Sequence, residues 1–405
     1  MTHKGGRRRS HVRRPEDRNA GRVRVAAAAG LVLVAALAVL AVTRAAAPSA
    51  PARPTAAVAA ATLAPGPPPV PGHEVYGYAP YWEMDAGLPD HLAETDLNTL
   101  ALFSVTQRAD GTMATNDSGY RAIDGDIGRR ILSEAHARGT RVELVWASFG
   151  AARNRPLFEN RAAQDRWIGV LAAFAQERGF DGINVDVEGL PAELVPAYGG
   201  FVGRLREAVR AANPAAQVSV ATGASELGAA MAVAANANGV DRIFLMGYDY
   251  RTAGSAPGGT APLDRTDGGA KDLTWSLDLY EAVGVPVDRT ILGLPLYGMT
   301  WPVLGPGFGA AAVGRGEAWI PRRHGAELEA LDFEPALDQT ESVEFFALRQ
   351  GNRWNAVYYD SPRSLAPKLA LANRRGLAGA GFWAIGYERG LPGYTQLIAG
   401  FRAGR

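Results

Sequence analysis

The chain has 405 residues, 47% of them hydrophobic, no cysteine, and 42 basic against 41 acidic side chains for a formal net charge of +1. Such a composition supports a large buried core and excludes bulk disorder or a fibrous repeat. The lack of cysteine excludes disulfides, thiolate nucleophiles, Cys-ligated metals and Cys-linked lipid anchors.

The charge is unevenly spread. Residues 1–24 hold nine basic side chains, from Lys4 to Arg24, and two acidic ones, which leaves 33 basic and 39 acidic for the rest. An acidic body gives no electrostatic case for nucleic acid, so the arginine run reads as a topology signal. It is followed at 25–43 by an apolar segment in which the 18 residues from Val25 to Val42 carry no charge. That is long enough to span a bilayer as a helix. A cleavable signal peptide is the competing reading, but its apolar core is normally about 7 to 15 residues, and Arg44 stands directly before Ala45-Ala46-Ala47. The expectation is a basic cytoplasmic tail over 1–24 and an uncleaved transmembrane signal anchor over 25–43. The folded part then faces outward from the plasma membrane, or is secreted if the segment is cleaved. Residues 44–72, with Pro51-Ala52-Arg53-Pro54 and Pro65-Gly66-Pro67-Pro68-Pro69, read as a semi-rigid spacer.

From Val75 onward short apolar or β-branched runs alternate with helical patterns, the signature of β/α units around a parallel sheet. Strands are expected at Val75 to Tyr81, Thr99 to Val105, Arg141 to Ser148, Gly182 to Glu188, Gln217 to Thr222, Arg242 to Tyr248, Thr290 to Leu296 and Gly379 to Ile385. Helices are expected at Gly125 to Arg138, Asn160 to Arg178, Ala192 to Asn213, Ser225 to Asn238, Leu273 to Val283 and Ser364 to Arg375, the last with Ser364 as its N-cap. Eight units in roughly 330 residues predict a TIM (β/α)8 barrel over 73–405. The long stretch between the seventh and eighth strands predicts a small α+β insertion at about 299–360 on the catalytic face.

The fourth strand carries the chemistry. Side chains alternate along a strand, so Asn184, Asp186 and Glu188 share one face and Ile183, Val185 and Val187 the other. Two neighbouring carboxyls on a buried face repel and lose hydration, which raises at least one pKa and suits it to donate a proton near neutral pH. Glu188, at the C-terminal end of the strand, is the candidate acid. A satisfied ion-pair network under a loop is the plainer alternative.

Asp181-Gly182-Ile183-Asn184-Val185-Asp186-Val187-Glu188 resembles the strand-four motif Asp-Gly-x-Asp-x-Asp-x-Glu of glycoside hydrolase family 18, the chitinase-like family. Met246-Gly247-Tyr248-Asp249, Gly293-Leu294-Pro295-Leu296-Tyr297-Gly298 and Gly381-Phe382-Trp383 match the motifs of its sixth, seventh and eighth strands in order. The resemblance implies substrate-assisted retaining hydrolysis of β-1,4 bonds next to N-acetylglucosamine, in peptidoglycan or a chitin-like glycan, without cofactor or metal. It implies Glu188 as acid, Asp186 as partner of the acetamido N–H, Tyr248 as donor to the acetamido oxygen, Asp249 as a positioning group and Trp383 as the floor of the central subsite. Tyr297, Asn184, Tyr78 and Trp146 complete the expected substrate-binding set, with Trp82 and Trp301 as further aromatic candidates; for Tyr248, Tyr297, Tyr78, Trp82, Trp146 and Trp301 plain core packing is the alternative. The glycan is the expected partner, beside the membrane contacted by the N-terminal helix.

Two departures stand out. Asn184 replaces the middle aspartate of the motif, and Ala147-Ser148-Phe149-Gly150 is a weak match to the third-strand Ser-x-Gly-Gly. With the run from Gly254 to Gly259, these resemble the bacterial spore-germination and cell-wall branch of the family. A non-catalytic, lectin-like barrel is the alternative from a different class, and Glu188 argues against it. His73, His91, His136 and His324 are scattered without ligand spacing, so metal hydrolysis has little support.

Overall fold

The computed structural model describes residues 73–404 apart from 109 and 270. The expected basic tail, apolar anchor and spacer lie outside the described residues. Among the described residues no helix is long and apolar enough to cross a membrane.

Seven of the barrel strands come first in the chain: β1 (Glu74–Pro80), β2 (Thr99–Val105), β3 (Arg141–Phe149), β4 (Gly182–Glu188), β5 (Gln217–Gly223), β6 (Arg242–Met246) and β7 (Thr290–Pro295). An excursion follows through β8 (Gly298–Val303), β9 (Glu317–Trp319), β10 (Ala336–Asp338), β11 (Val343–Gln350) and β12 (Arg353–Tyr359), and β13 (Gly379–Trp383) supplies the eighth barrel strand. The barrel closes in the order β1-β13-β7-β6-β5-β4-β3-β2, and the excursion forms a separate five-stranded sheet, β10-β11-β12-β8-β9. The expected barrel and insertion are both present. Because the insertion leaves the C-terminal end of β7, it stands on the face where barrel enzymes work.

Strand alternation divides the core in two. Outward residues such as Ile183, Val185, Val187, Val218, Val220, Leu292 and Leu294 pack against the surrounding helices. Inward residues Tyr76, Tyr78, Ala101, Phe103, Val145, Ala147, Phe244 and Ile291 fill the interior. Phe244 needs glycine neighbours: a Cβ at Gly293 would stand 2.3 Å from its ring, and one at Gly381 2.6 Å. Packing at crystal-like density leaves no slack there.

Several expected boundaries shift for local reasons. Strand β6 stops at Met246: the Gly247 N–H still makes one ladder bond to the Gly293 carbonyl of β7 at 3.0 Å, and Asp249 then turns the chain with φ at 60°. Tyr248 and Asp249 therefore sit on the loop above the strand. Likewise β13 stops at Trp383. The N-cap of the last predicted helix is Ser361 and not Ser364: Pro362 occupies the first turn, where its missing N–H is harmless, and Ser364 closes a capping box from the third position. Helices at Leu88–Glu94, Ser118–Ile123, Ala151–Phe158 and Tyr394–Arg402 escaped the sequence pattern. All are short, and two carry an internal or first-turn proline.

Gly293→Ala should destabilise the protein by about 1–3 kcal/mol through overpacking against Phe244, measured by chemical denaturation; an unchanged unfolding midpoint would show that the ring can move aside.

Candidate active site

Strand β4 delivers three polar side chains into the barrel. Asn184 has no exposed surface and Asp186 4%, while Glu188 at the rim is half-buried. The register sets Asp186 between Ala147 of β3 and Ala221 of β5. Small neighbours on both sides leave Oδ1 of Asp186 buried and without a hydrogen-bond partner. A buried acceptor of that kind is poised for a donor from outside the protein.

Burial raises Asp186 well above the usual carboxylate range, and the charge of Glu188 adds to the effect. Glu188 is pushed up to about 7, first by burial and then by the charge of Asp249. A carboxyl that still holds its proton near neutrality, at a strand end open to the cleft, is a competent general acid.

The main chain of Glu188 is fixed from behind. Its carbonyl accepts from the Gly150 N–H at 2.9 Å and from Asn154 Nδ2 at 2.7 Å. Asn154 Oδ1 accepts from Ser148 Oγ at 2.7 Å, and Ser148 Oγ accepts from Gln107 Nε2 at 3.0 Å. Trp146 completes this line by donating its indole N–H to Gln107 Oε1 at 2.7 Å. Its expected place in the glycan cleft is thereby corrected. Trp146 points outward from β3, is fully buried and packs on Trp167 and Phe201.

The other walls come from neighbouring strand ends. Tyr248 and Tyr297 meet edge to face at 6.2 Å. Tyr297 donates its hydroxyl proton to Asp249, whose N–H bonds Thr260 Oγ1 at 3.2 Å. These bonds hold Asp249 in a left-handed backbone conformation that costs a non-glycine residue strain, a common feature of functional sites. Asp249 is exposed at its surface yet lies within the ring of protein atoms around the cleft, so its pKa rises while Tyr297 and Thr260 pull it back.

Trp383 is half-buried and packed on three rings: Phe103 at 4.8 Å, Tyr78 at 5.5 Å and Trp82 at 6.1 Å. Tyr78, expected as a glycan contact, is only 2% exposed and packs against the Trp383 ring. Asn184, the other expected contact at this depth, has no exposed surface and donates to Ser219 Oγ at 2.8 Å. Trp301 is buried in the insertion against Tyr358 and is absent from the cleft.

Phe149 went unnoticed in the sequence. It is 42% exposed, pairs in register with Glu188 and lies nearly parallel to Phe103 at 6.3 Å, interplanar angle 21°. Its signal was the replacement within Ala147-Ser148-Phe149-Gly150, an aromatic at a strand end where small residues were expected. Among the described residues, no group of three or more His, Asp or Glu could hold a metal ion.

The profile of glycosyl hydrolases family 18 matches residues 74–388. The chain belongs to this family. A Bacillus subtilis protein named as a sporulation-specific glycosylase is 23% identical over 301 residues, covering 71% of this chain and 66% of the relative. A Caenorhabditis elegans protein named as an endochitinase is 27% identical over 274 residues, covering 60% of this chain and 42% of the relative. The chain thus spans less than two thirds of either relative. Among solved structures, the Bacillus cereus spore cortex-lytic enzyme SleL superposes with a TM-score of 0.66 at 20% identity, covering 81% of this chain and 73% of SleL. A class V chitinase from Nicotiana tobaccum reaches 0.69 at 17% identity, covering 82% and 98%. These likenesses establish the family 18 barrel.

Within the barrel, Glu143 is also pushed up to about 7 by burial, which outweighs its bonds from Ser219 and Tyr76. Glu143, Asp186 and Glu188 thus have folded pKa values above their unfolded ones, so the folded state favours the protonated forms. For Glu143 and Glu188 the stabilisation is complete below about 4.5 and is lost as pH rises through about 7. Glu143 alone accounts for on the order of 3 kcal/mol. The thermal midpoint should accordingly fall between pH 4.5 and 7.5, and a midpoint that climbs across that window would contradict the assigned burial.

Proposed function

We propose that this chain hydrolyses β-1,4 bonds next to N-acetylglucosamine in peptidoglycan or a chitin-like glycan, by substrate-assisted retention. The observation that carries the reading is the pair on β4: a half-buried Glu188 with its pKa near 7 beside the unpartnered Oδ1 of Asp186. Family membership supports it, as do the two bacterial proteins named as a sporulation-specific glycosylase and a spore cortex-lytic enzyme.

In this mechanism Glu188 protonates the glycosidic oxygen as the C1–O bond breaks. The substrate's own acetamido carbonyl oxygen attacks C1 from the opposite face and forms an oxazolinium ion. Asp186 accepts the acetamido N–H and stabilises the positive charge that develops on that group. Tyr248, whose hydroxyl burial keeps protonated, donates to the acetamido oxygen. Water, deprotonated by the Glu188 carboxylate, then opens the ring with net retention. Asp249 positions the sugar, and Trp383 stacks under it. No protein nucleophile is required.

The same reading extends to location. The basic tail and apolar run of the N-terminus would hold the barrel outside the membrane, where it acts on the wall of its own cell.

Incubating the full-length protein with purified peptidoglycan and with chitin oligomers, and following new reducing ends by mass spectrometry, tests the proposal. Products ending in N-acetylglucosamine are expected, with Glu188→Gln slowing their release by about 10²–10⁴-fold while binding persists. Bound glycan without products from the unmutated protein would move the assignment to a lectin-like barrel. Because Glu188 loses its proton as pH passes about 7, the rate should decline on the alkaline side of neutrality; a rate still rising at pH 9 would remove Glu188 as the acid.

A further inference from the structure

Beneath Asp186 the barrel contains a further carboxyl that the proposed mechanism does not use. Glu143 projects inward from β3 and has no exposed surface. Its Oε2 accepts from Tyr76 Oη at 2.7 Å and from Ser219 Oγ at 2.5 Å. Ser219 Oγ in turn accepts from Asn184 Nδ2 at 2.8 Å. A line of hydrogen bonds therefore runs from Glu143 through Ser219 to Asn184, the residue directly below Asp186 on the same face of β4.

The groups around Glu143 come from four strands. Tyr76, Tyr78 and Glu74 approach from β1, Ser219 from β5 and, through Ser219, Asn184 from β4, and Arg141 lies two residues away on β3. Arg141 draws the Glu143 pKa down, but less than the two hydroxyl donors do, and burial prevails over all three. Tyr78 stands where the fields meet, since the charges of both Asp186 and Glu143 raise its pKa. Two carboxyl oxygens of this column, Glu143 Oε1 and Asp186 Oδ1, are buried without a partner, and between them Tyr78 has Asn184 and Tyr76 as hydrogen-bond partners. A carboxyl kept only for packing would be better replaced by an apolar side chain of the same size. An unpartnered carboxyl oxygen at each end, with hydroxyls and an amide between, points to a column whose protons are rearranged.

We propose that Glu143 is a positioning residue that supplies from β3 the second buried carboxyl missing at Asn184, and that through Ser219 and Asn184 it sets the proton balance of Asp186 and Glu188. The inference rests on the glycosidase reading above. An ionised Glu143 adds negative charge below the site and holds Glu188 protonated to higher pH; a protonated Glu143 releases that hold.

The test is the pH profile of glycan hydrolysis by the full-length protein. Glu143→Gln removes the charge and should move the alkaline limb of kcat/KM to lower pH by on the order of half a unit to one unit, while Glu143→Asp keeps the limb nearer its original place. An unmoved limb in a folded Glu143→Gln protein overturns the proposal. Should that variant fail to fold, Ser219→Ala weakens the stabilisation of the Glu143 carboxylate and should move the limb in the same direction; no movement is again a refutation. If the unmutated protein hydrolyses nothing, the glycosidase reading fails by itself. The column is then tested by the pH dependence of chitin-oligomer binding to the unmutated and Glu143→Gln proteins, where superimposable curves overturn the coupling and separated curves support it.

Discussion

The constraint on which the rest depends is the enclosure of several carboxyls in one low-dielectric barrel, where burial outweighs every group that would favour their charged forms. Asp186, Glu188 and Glu143 all have raised pKa values, with burial the largest cause in each case. Such groups persist only where the surrounding fold holds them in place. The closed ring of parallel strands does so, because adjacent strands fix the register of β4 on both sides. Ala147 and Ala221 beside Asp186 leave its Oδ1 unsatisfied, and the tyrosine and serine hydroxyls below donate to Glu143.

Buried charges elsewhere in the molecule are treated differently. Arg251 and Glu341 meet through two bonds of 2.6 Å, and Thr266 adds a third donor to Glu341. Glu341 is held below its ordinary pKa although burial pushes the other way. Lys368 is paired with Asp360, and His91 lies 2.6 Å from Glu388. These pairs tie the loop after β6 to the insertion, brace the helix at Pro362–Arg374 and join the segment after β13 to the helix at Leu88–Glu94. Paired charges thus mark the frame, and unpaired carboxyls mark the site. The same protein pays for rigidity in one place and preserves reactivity in the other.

The aromatic rings follow the same division. Trp383, Phe103 and Phe149 line the cleft side, and Trp82 is fastened by its indole N–H to Tyr387 Oη at 3.0 Å. Trp146 and Trp301, equally large, are entirely enclosed. Residue type alone cannot separate a stacking platform from a core filler; strand parity can. On β3 the odd positions Glu143, Val145 and Ala147 face inward, and Trp146 therefore faces the helices.

Local chemistry determined much of this protein from its sequence. Alternation along Gly182–Glu188 fixed which side chains share a face, periodic apolar runs fixed the order of strands and helices, and four ordered motifs identified Glu188, Asp186, Tyr248, Asp249 and Trp383 as neighbours. These features depend on contacts close in the chain or on motifs that survive as text. The tertiary structure alone decided what depends on distant segments meeting: the turn of Asp249 under Tyr297, the burial of Asn184 and Tyr78, the line from Trp146 to the carbonyl of Glu188, and the placing of Glu143 below the site. Glu143 and Ser219 are 76 residues apart. Only closure of the barrel, which brings β3, β4 and β5 side by side, makes them one hydrogen-bonded column.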